Sequence, residues 1–233
     1  MNSVQYLQRR GQLEQYFDRT AARAWELLTS DAPVSRIRAT VRAGRDRMRQ
    51  SLLEMLPLDL SGLRILDAGC GTGAMALALA ERGASVVAID LSPTLVELAR
   101  QRVAAVTGRG GIEFLIGDMT DPALGSFDHV VAMDSLIHYE APDVVRVLTD
   151  LAARTRRSLV FTFAPRTPAL AVMHAVGRIF PRANRAPSIA PVAEAQLRAR
   201  LAGDLGLRGW QPARTARVAS GFYTSQAMEL ALA

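Results

Sequence analysis

Residues 65–73 read ILDAGCGTG, and AMALALAERG follows at 74–83. Two apolar residues and an acid form the end of a short strand, glycines at 69, 71 and 73 form a tight loop, and a helix begins at once. Alternate glycines let a backbone turn sharply and pass close to a ligand, so a strand, glycine loop and helix in this order mark a nucleotide-type site. The loop alone leaves the ligand open. Gly69, Gly71 and Ala74 also satisfy the relaxed dinucleotide pattern of nicotinamide oxidoreductases.

Outward from this loop the chain alternates short apolar strands with amphipathic stretches: LRILDA, SVVAID, SPTLVELARQRVA, IEFLIGD, FDHVVAMD, APDVVRVLTDLAART and SLVFTF. That alternation predicts parallel βαβ units with helices on both faces of one sheet. Ser92 as N-cap before Pro93 fixes one helix start. Ahead of the sheet, QLEQYFDRTAARAWELL places Leu13, Phe17, Ala21, Ala24 and Leu28 at helical spacing before a break at Pro33, so two helices precede the first strand. Behind it come a proline- and arginine-rich excursion at 166–191 with one short apolar helix, a helix around EAQLRARL, and a tail that alternates as a strand pair about Ser220-Gly221.

A chain of 233 residues with 49% hydrophobic content suits one α/β domain with an appendage. Its one cysteine, Cys70, excludes an internal disulfide framework and has no recognisable partner for thiol catalysis. The opening residues lack a leader pattern, and the expected compartment is the reducing cytoplasm. All 28 basic residues are arginine, and they are segregated: ten against seven acids in residues 1–60, six against twelve in 61–150, twelve against three in 151–233. An acidic middle argues against nucleic-acid binding by the central fold, while either basic flank suits an anionic ligand or membrane surface.

The acid-x-Gly-x-Gly-x-Gly run from Asp67 resembles motif I of class I S-adenosylmethionine methyltransferases. Asp90, with Leu91, ends the second strand where ribose hydroxyls are held, and Gly117-Asp118-Met119 ends the third. Beyond this, YFDRTAARAW, VRAGRDRMR, LDAGCGTG, GDMTDPALGSFDHVVAMDSLIHY, APRTP and SGFYTSQ together resemble the magnesium-protoporphyrin IX O-methyltransferase family over nearly the whole chain. The resemblance implies a Rossmann-like, seven-stranded, mostly parallel α/β sheet with an N-terminal helical arm. Residues 1–60 would form a cap, and 61–233 the S-adenosylmethionine-binding domain, with an insertion near 166–203 covering the substrate. It also implies methyl transfer to a propionate of Mg-protoporphyrin IX, leaving S-adenosylhomocysteine. Asp67, Gly69, Gly71, Gly73, Asp90 and Leu91 would hold the donor, Asp118 the adenine amino group, and Met119 the adenine ring. Tyr16 and His138 match the family's active-site pair, with Tyr139 beside the substrate. No metal site is expected beyond the magnesium of the porphyrin. Handover from magnesium chelatase and a peripheral contact with the photosynthetic membrane are implied as well.

The chemistry suits such a site. A propionate is ionised at neutral pH, so attack on a sulfonium methyl requires no strong base. The displacement annihilates charge, so a dry, positioning pocket is expected. On a helical wheel of residues 36–56, Ile37, Val41, Met48, Leu52 and Met55 share one face, and Arg38, Arg42, Arg45 and Arg49 form an adjacent stripe suited to the carboxylate that does not react. Arg166, Arg178, Arg182 and Arg185 flank the apolar helix of the excursion, which would roof a macrocycle or lie on an anionic bilayer, and His174 within it is incidental. Three alternatives remain at this point: a methyltransferase for another acidic small molecule, a nicotinamide oxidoreductase, and a porphyrin-binding protein without turnover.

Overall fold

The computed structural model describes residues 4–21, 36–103, 110–166 and 189–232, without the side chains of residues 4, 19–21 and 36–38. Among the described residues two helices precede the sheet: α1 (Val4–Gln15), which passes into a π-helical turn (Tyr16–Ala21), and α2 (Arg36–Glu54). The alternation then runs β1 (Arg64–Ala68), α3 (Ala74–Glu81), β2 (Ser85–Asp90), α4 (Pro93–Val103), β3 (Ile112–Ile116), β4 (Phe127–Ala132), α5 (Ala141–Ala152) and β5 (Thr155–Phe163). It closes with α6 (Glu194–Gly203), β6 (Trp210–Ser220) and β7 (Tyr223–Leu232). Ala24, Leu28 and the Pro33 break lie outside the described residues, as do 167–188 of the excursion with His174, Arg178, Arg182 and Arg185.

The strands form one seven-stranded sheet in the order β3-β2-β1-β4-β5-β7-β6. Five are parallel, and β7 runs antiparallel to both neighbours, the reversed pair expected about Ser220-Gly221. Strand alternation sends Leu66, Val87, Val130 and Phe161 to a core shared with α1, α5 and α6, and Ile65, Val86, Val131 and Val160 to a core shared with α2, α3 and α4. Because β1 pairs with β2 on one side and β4 on the other, the strand order reverses there, and the carboxyl edge at this switch point is where such sheets open a crevice.

Local signals set the helices that frame the crevice. The Leu95 amide donates to Ser92 Oγ at 3.3 Å, so α4 starts at the expected cap. Met48 and Leu52 of α2, and Met55 just beyond its end, are buried, each contributing about 1.5–3 kcal/mol, and hold that helix on the sheet. Its last carbonyls are capped from afar: Arg214, paired with Glu229, donates to the Glu54 and Met55 oxygens. No helix among the described residues is long and apolar enough to cross a membrane.

Candidate active site

Strands β1 to β4 each bring an aspartate to the same edge: Asp67 within β1, Asp90 ending β2, Asp118 two residues past β3 and Asp134 two residues past β4. A cavity of 310 Å³ opens there, at the low end of small-molecule pockets. Asp67, Gly69, Gly71 and Asp90 bound it below, Leu13 and Phe17 of the N-terminal arm close one side, and Arg42, Arg45 and Arg49 of α2 line another. Leu91, Met119, His138 and Tyr139 complete the predicted residues that reach it. The Arg38 side chain lies outside the described residues.

The three glycines make room for different things. Gly69 (φ 84°) has no space for a side chain, because a Cβ there would sit 2.4 Å from that of Ser135, whereas a Cβ on Gly71 (φ 52°) would meet nothing within 4 Å. Gly73 passes against Ala99 and Phe114 instead of facing a ligand. The loop amides are already engaged: Gly69 and Cys70 donate to the Ile89 carbonyl, Gly73 to that of Cys70, and Gly71 to Asp90 Oδ2 at 2.8 Å. A pyrophosphate would find two carboxylates here and few free amides, which disfavours the dinucleotide alternative.

Asp67 is 1% exposed, and its Oδ2 has no hydrogen-bond partner among the described residues. Burial first, and the Asp90 carboxylate second, push its carboxyl up to about 7, against the Ala76 amide. Burial raises Asp90 as well, opposed by the amides of Ser92, Gly71 and Leu91. An orphaned buried carboxylate oxygen, a second acid and a glycine open to the cavity together fit a cationic donor carrying hydroxyls, the chemistry of S-adenosylmethionine.

Asp118 lies behind the cavity wall rather than in it. Its Oδ1 accepts from the Tyr6 hydroxyl (3.0 Å) and from the Thr120 amide and hydroxyl (both 2.8 Å), and its Oδ2 from Arg10 (2.9 Å). Burial opposes its ionisation, but the Thr120 amide and Arg10 outweigh it and hold the carboxyl below the usual range. Asp118 thus anchors α1, while its neighbours Gly117 and Met119 reach the cavity. The same helix stacks Tyr6 on Tyr139 (centroids 5.1 Å apart) and donates from Arg9 to the His138 carbonyl (2.9 Å). Spacing gave no signal for Tyr6 or Arg10, since their partner lies over a hundred residues away.

His138 is buried, lines the cavity and meets the ring of Phe17 edge-on at 5.7 Å. Tyr16 is half-buried against Phe17 (5.3 Å) and does not line the cavity. Within this π-helical turn it is Phe17 whose ring faces the cavity, with Tyr16 packed against its edge. Arg42, Arg45 and Arg49 of the stripe line the cavity, but two of them already have acids: Arg45 pairs with Asp134 at 3.0 Å and Arg49 with Asp46 at 2.8 Å. Asp134 went unnoticed in the sequence, where nothing distinguishes it from any acid at a strand end.

Comparison with known proteins gives this geometry its family. The magnesium-protoporphyrin O-methyltransferase of Rhodobacter capsulatus is 51% identical over 225 residues, 96% of this chain and 97% of that protein. The chain belongs to the magnesium-protoporphyrin IX O-methyltransferase family. A family profile described as "Magnesium-protoporphyrin IX methyltransferase C-terminus" matches residues 132–231, and one described as "Methyltransferase domain" matches 65–158. A crystal structure of the family member from Synechocystis PCC 6803 with bound SAH superposes with a TM-score of 0.84 at 29% identity, covering 96% of this chain and 100% of that one. A second, with bound SAM, gives 0.78 at 26% identity, covering 97% of each. The Rossmann-like sheet expected from the resemblance is therefore the family's fold.

Proposed function

We propose that this protein is an S-adenosylmethionine-dependent O-methyltransferase that esterifies one propionate of Mg-protoporphyrin IX, a step of (bacterio)chlorophyll formation, and releases S-adenosylhomocysteine. One observation carries the reading: a single cavity joins the acid-and-glycine loop to His138 and an arginine wall, in a chain 51% identical to a relative of that name. Bound S-adenosylmethionine supplies an activated methyl group. Asp67, Gly69, Gly71, Asp90, Leu91 and Met119 would hold it, with Gly73 shaping the loop and Asp118 fixing the segment that carries Met119.

The remaining residues position the acceptor. His138 orients the reacting carboxylate as a hydrogen-bond partner, which leaves its nucleophilicity largely intact. Leu13, Phe17 and Met133 keep water out, which favours a reaction that annihilates charge. Arg42 and Arg49 receive the propionate that does not react, and Tyr139 borders the macrocycle. Tyr16 acts on His138 through Phe17. Residues 1–60 serve as the cap over the site and the 166–203 insertion as its further cover. The cytoplasm as compartment, handover from magnesium chelatase, and contact of the basic flanks with the photosynthetic membrane complete the proposal.

The test is a methyl-transfer assay with Mg-protoporphyrin IX, metal-free protoporphyrin and unrelated carboxylates. Monomethyl ester from the magnesium porphyrin, with little from the other acids, is the expected outcome. Absence of ester with every porphyrin overturns the assignment. Stabilisation of the protein by a nicotinamide dinucleotide but not by S-adenosylhomocysteine revives the oxidoreductase reading.

A further inference from the structure

Asp134 is the one non-glycine residue with positive φ among the described residues, at 54°. A left-handed conformation at an aspartate persists only where its surroundings over-determine it, and such strain concentrates at functional sites. Here the surroundings come from three elements. Oδ2 accepts from Arg45 of α2 (3.0 Å) and from the Tyr223 hydroxyl of β7 (3.1 Å). Oδ1 accepts from Tyr223 (3.1 Å), from Ser225 of β7 (3.2 Å) and from Thr162 of β5 (3.3 Å), and the Asp134 amide donates to Thr162 Oγ1 (2.7 Å). The carboxylate side chain is 4% exposed, yet the residue lines the cavity.

Two further features depend on this hub. The reversed backbone at 134 sends the chain into the turn Leu136–His138, with Ser135 laid against Gly69 and His138 in the cavity. On the other side, α2 approaches so closely that a Cβ on Gly44 would sit 2.6 Å from the Tyr223 ring, and this approach carries the neighbouring Arg45 onto Asp134. Arg45 lines the same cavity, and a guanidinium not paired with Asp134 would be available to clamp the reacting carboxylate, which would strengthen binding and withdraw the electron pair that must attack the methyl group.

We infer that Asp134 is a positioning residue of the methyl transfer, which holds Arg45 away from the acceptor carboxylate and sets the turn that carries His138. This deepens the proposed function and rests on it. Binding of the acceptor and its reactivity are thereby separated, because Arg45 is held on a protein carboxylate and not on the one that must react.

The test compares wild type, Asp134→Asn, Arg45→Met and the double variant. Asparagine keeps the size and tolerates positive φ, so the turn is retained while the charge is removed. Each protein is assayed for Mg-protoporphyrin IX binding by fluorescence quenching, for kcat and KM of ester formation, and for S-adenosylhomocysteine binding by calorimetry. Asp134→Asn is expected to lower kcat at least tenfold, to tighten porphyrin binding about threefold, and to leave S-adenosylhomocysteine binding within twofold. Arg45→Met added to it is expected to recover at least threefold in kcat. The inference is overturned if Asp134→Asn behaves as wild type, if it weakens porphyrin and S-adenosylhomocysteine binding together, or if the double variant is no faster than Asp134→Asn. A wild-type protein that neither quenches the porphyrin nor forms ester instead overturns the function on which the inference rests.

Discussion

Asp67→Asn separates the charge of the donor loop from its shape. A carboxyl raised from 3.8 to about 7 by burial and by Asp90 is costly to ionise in the ligand-free fold. The difference of about three units corresponds to about 4 kcal/mol, at roughly 1.4 kcal/mol per unit. Between pH 4 and 7 the folded chain holds this proton and the unfolded chain does not, so the stability that Asp67 contributes falls as pH rises through that window and levels off above it. Asparagine does not titrate, and the variant lacks that slope. Relative to wild type it should gain up to about 4 kcal/mol in unfolding free energy on going from pH 4 to pH 8, measured by urea denaturation. A cationic donor favours the ionised acid, so binding of S-adenosylmethionine at pH 7 should expel about half a proton from Asp67, and affinity should fall toward tenfold per unit at lower pH. Calorimetry in two buffers of different ionisation enthalpy reads that proton, and the variant corrects for the donor's own ammonium group. Asp67→Asn should bind the donor at least tenfold more weakly, because the cation loses a desolvated partner. Equal proton release by wild type and variant at pH 7, or equal donor affinity, would refute this account of the loop.

The glycines should differ in kind. Gly71→Ala and Gly69→Ala both carry the left-handed strain of about 1–2 kcal/mol that a side chain adds at positive φ. Gly71→Ala adds its Cβ to open space and should still fold but lose S-adenosylhomocysteine binding, whereas Gly69→Ala also drives a Cβ into Ser135 and should lower the melting temperature further. His138→Ala should slow ester formation on the order of tenfold to a hundredfold, the worth of one hydrogen bond to a charged group, with donor binding kept; full activity in that variant removes His138 from the mechanism. Arg42→Ala should raise the dissociation constant for the porphyrin about tenfold at moderate salt with kcat changed less, and unchanged affinity would remove Arg42 from the clamp.

What could be read from the sequence was what neighbouring residues decide among themselves. Period-two burial on both faces of a parallel sheet needs runs such as SVVAID, the Ser92-Pro93 start is a contact within one turn, and the 65–73 loop carries its ligand chemistry in nine consecutive residues. Contacts between distant segments left no such trace. Tyr6 and Arg10 reach Asp118 across 112 and 108 residues, and Arg45 reaches Asp134 across 89. The choice between Tyr16 and Phe17 depended on the rotation of a single π-helical turn, which residue spacing cannot specify. The arginine stripe shows why this matters for function. A wheel counts like charges on α2 and suggests a uniformly cationic wall, but the acids that offset them lie at 46 on the same helix and at 134 on the sheet edge. The segregation along the chain, with acids in the middle and arginines at both flanks, is undone by folding, because α1 and α2 lay their arginines on the aspartates that follow β3 and β4. The charge balance presented to an anionic acceptor is therefore set where these elements meet, and altering Asp134 should change it more than altering any one arginine of the stripe.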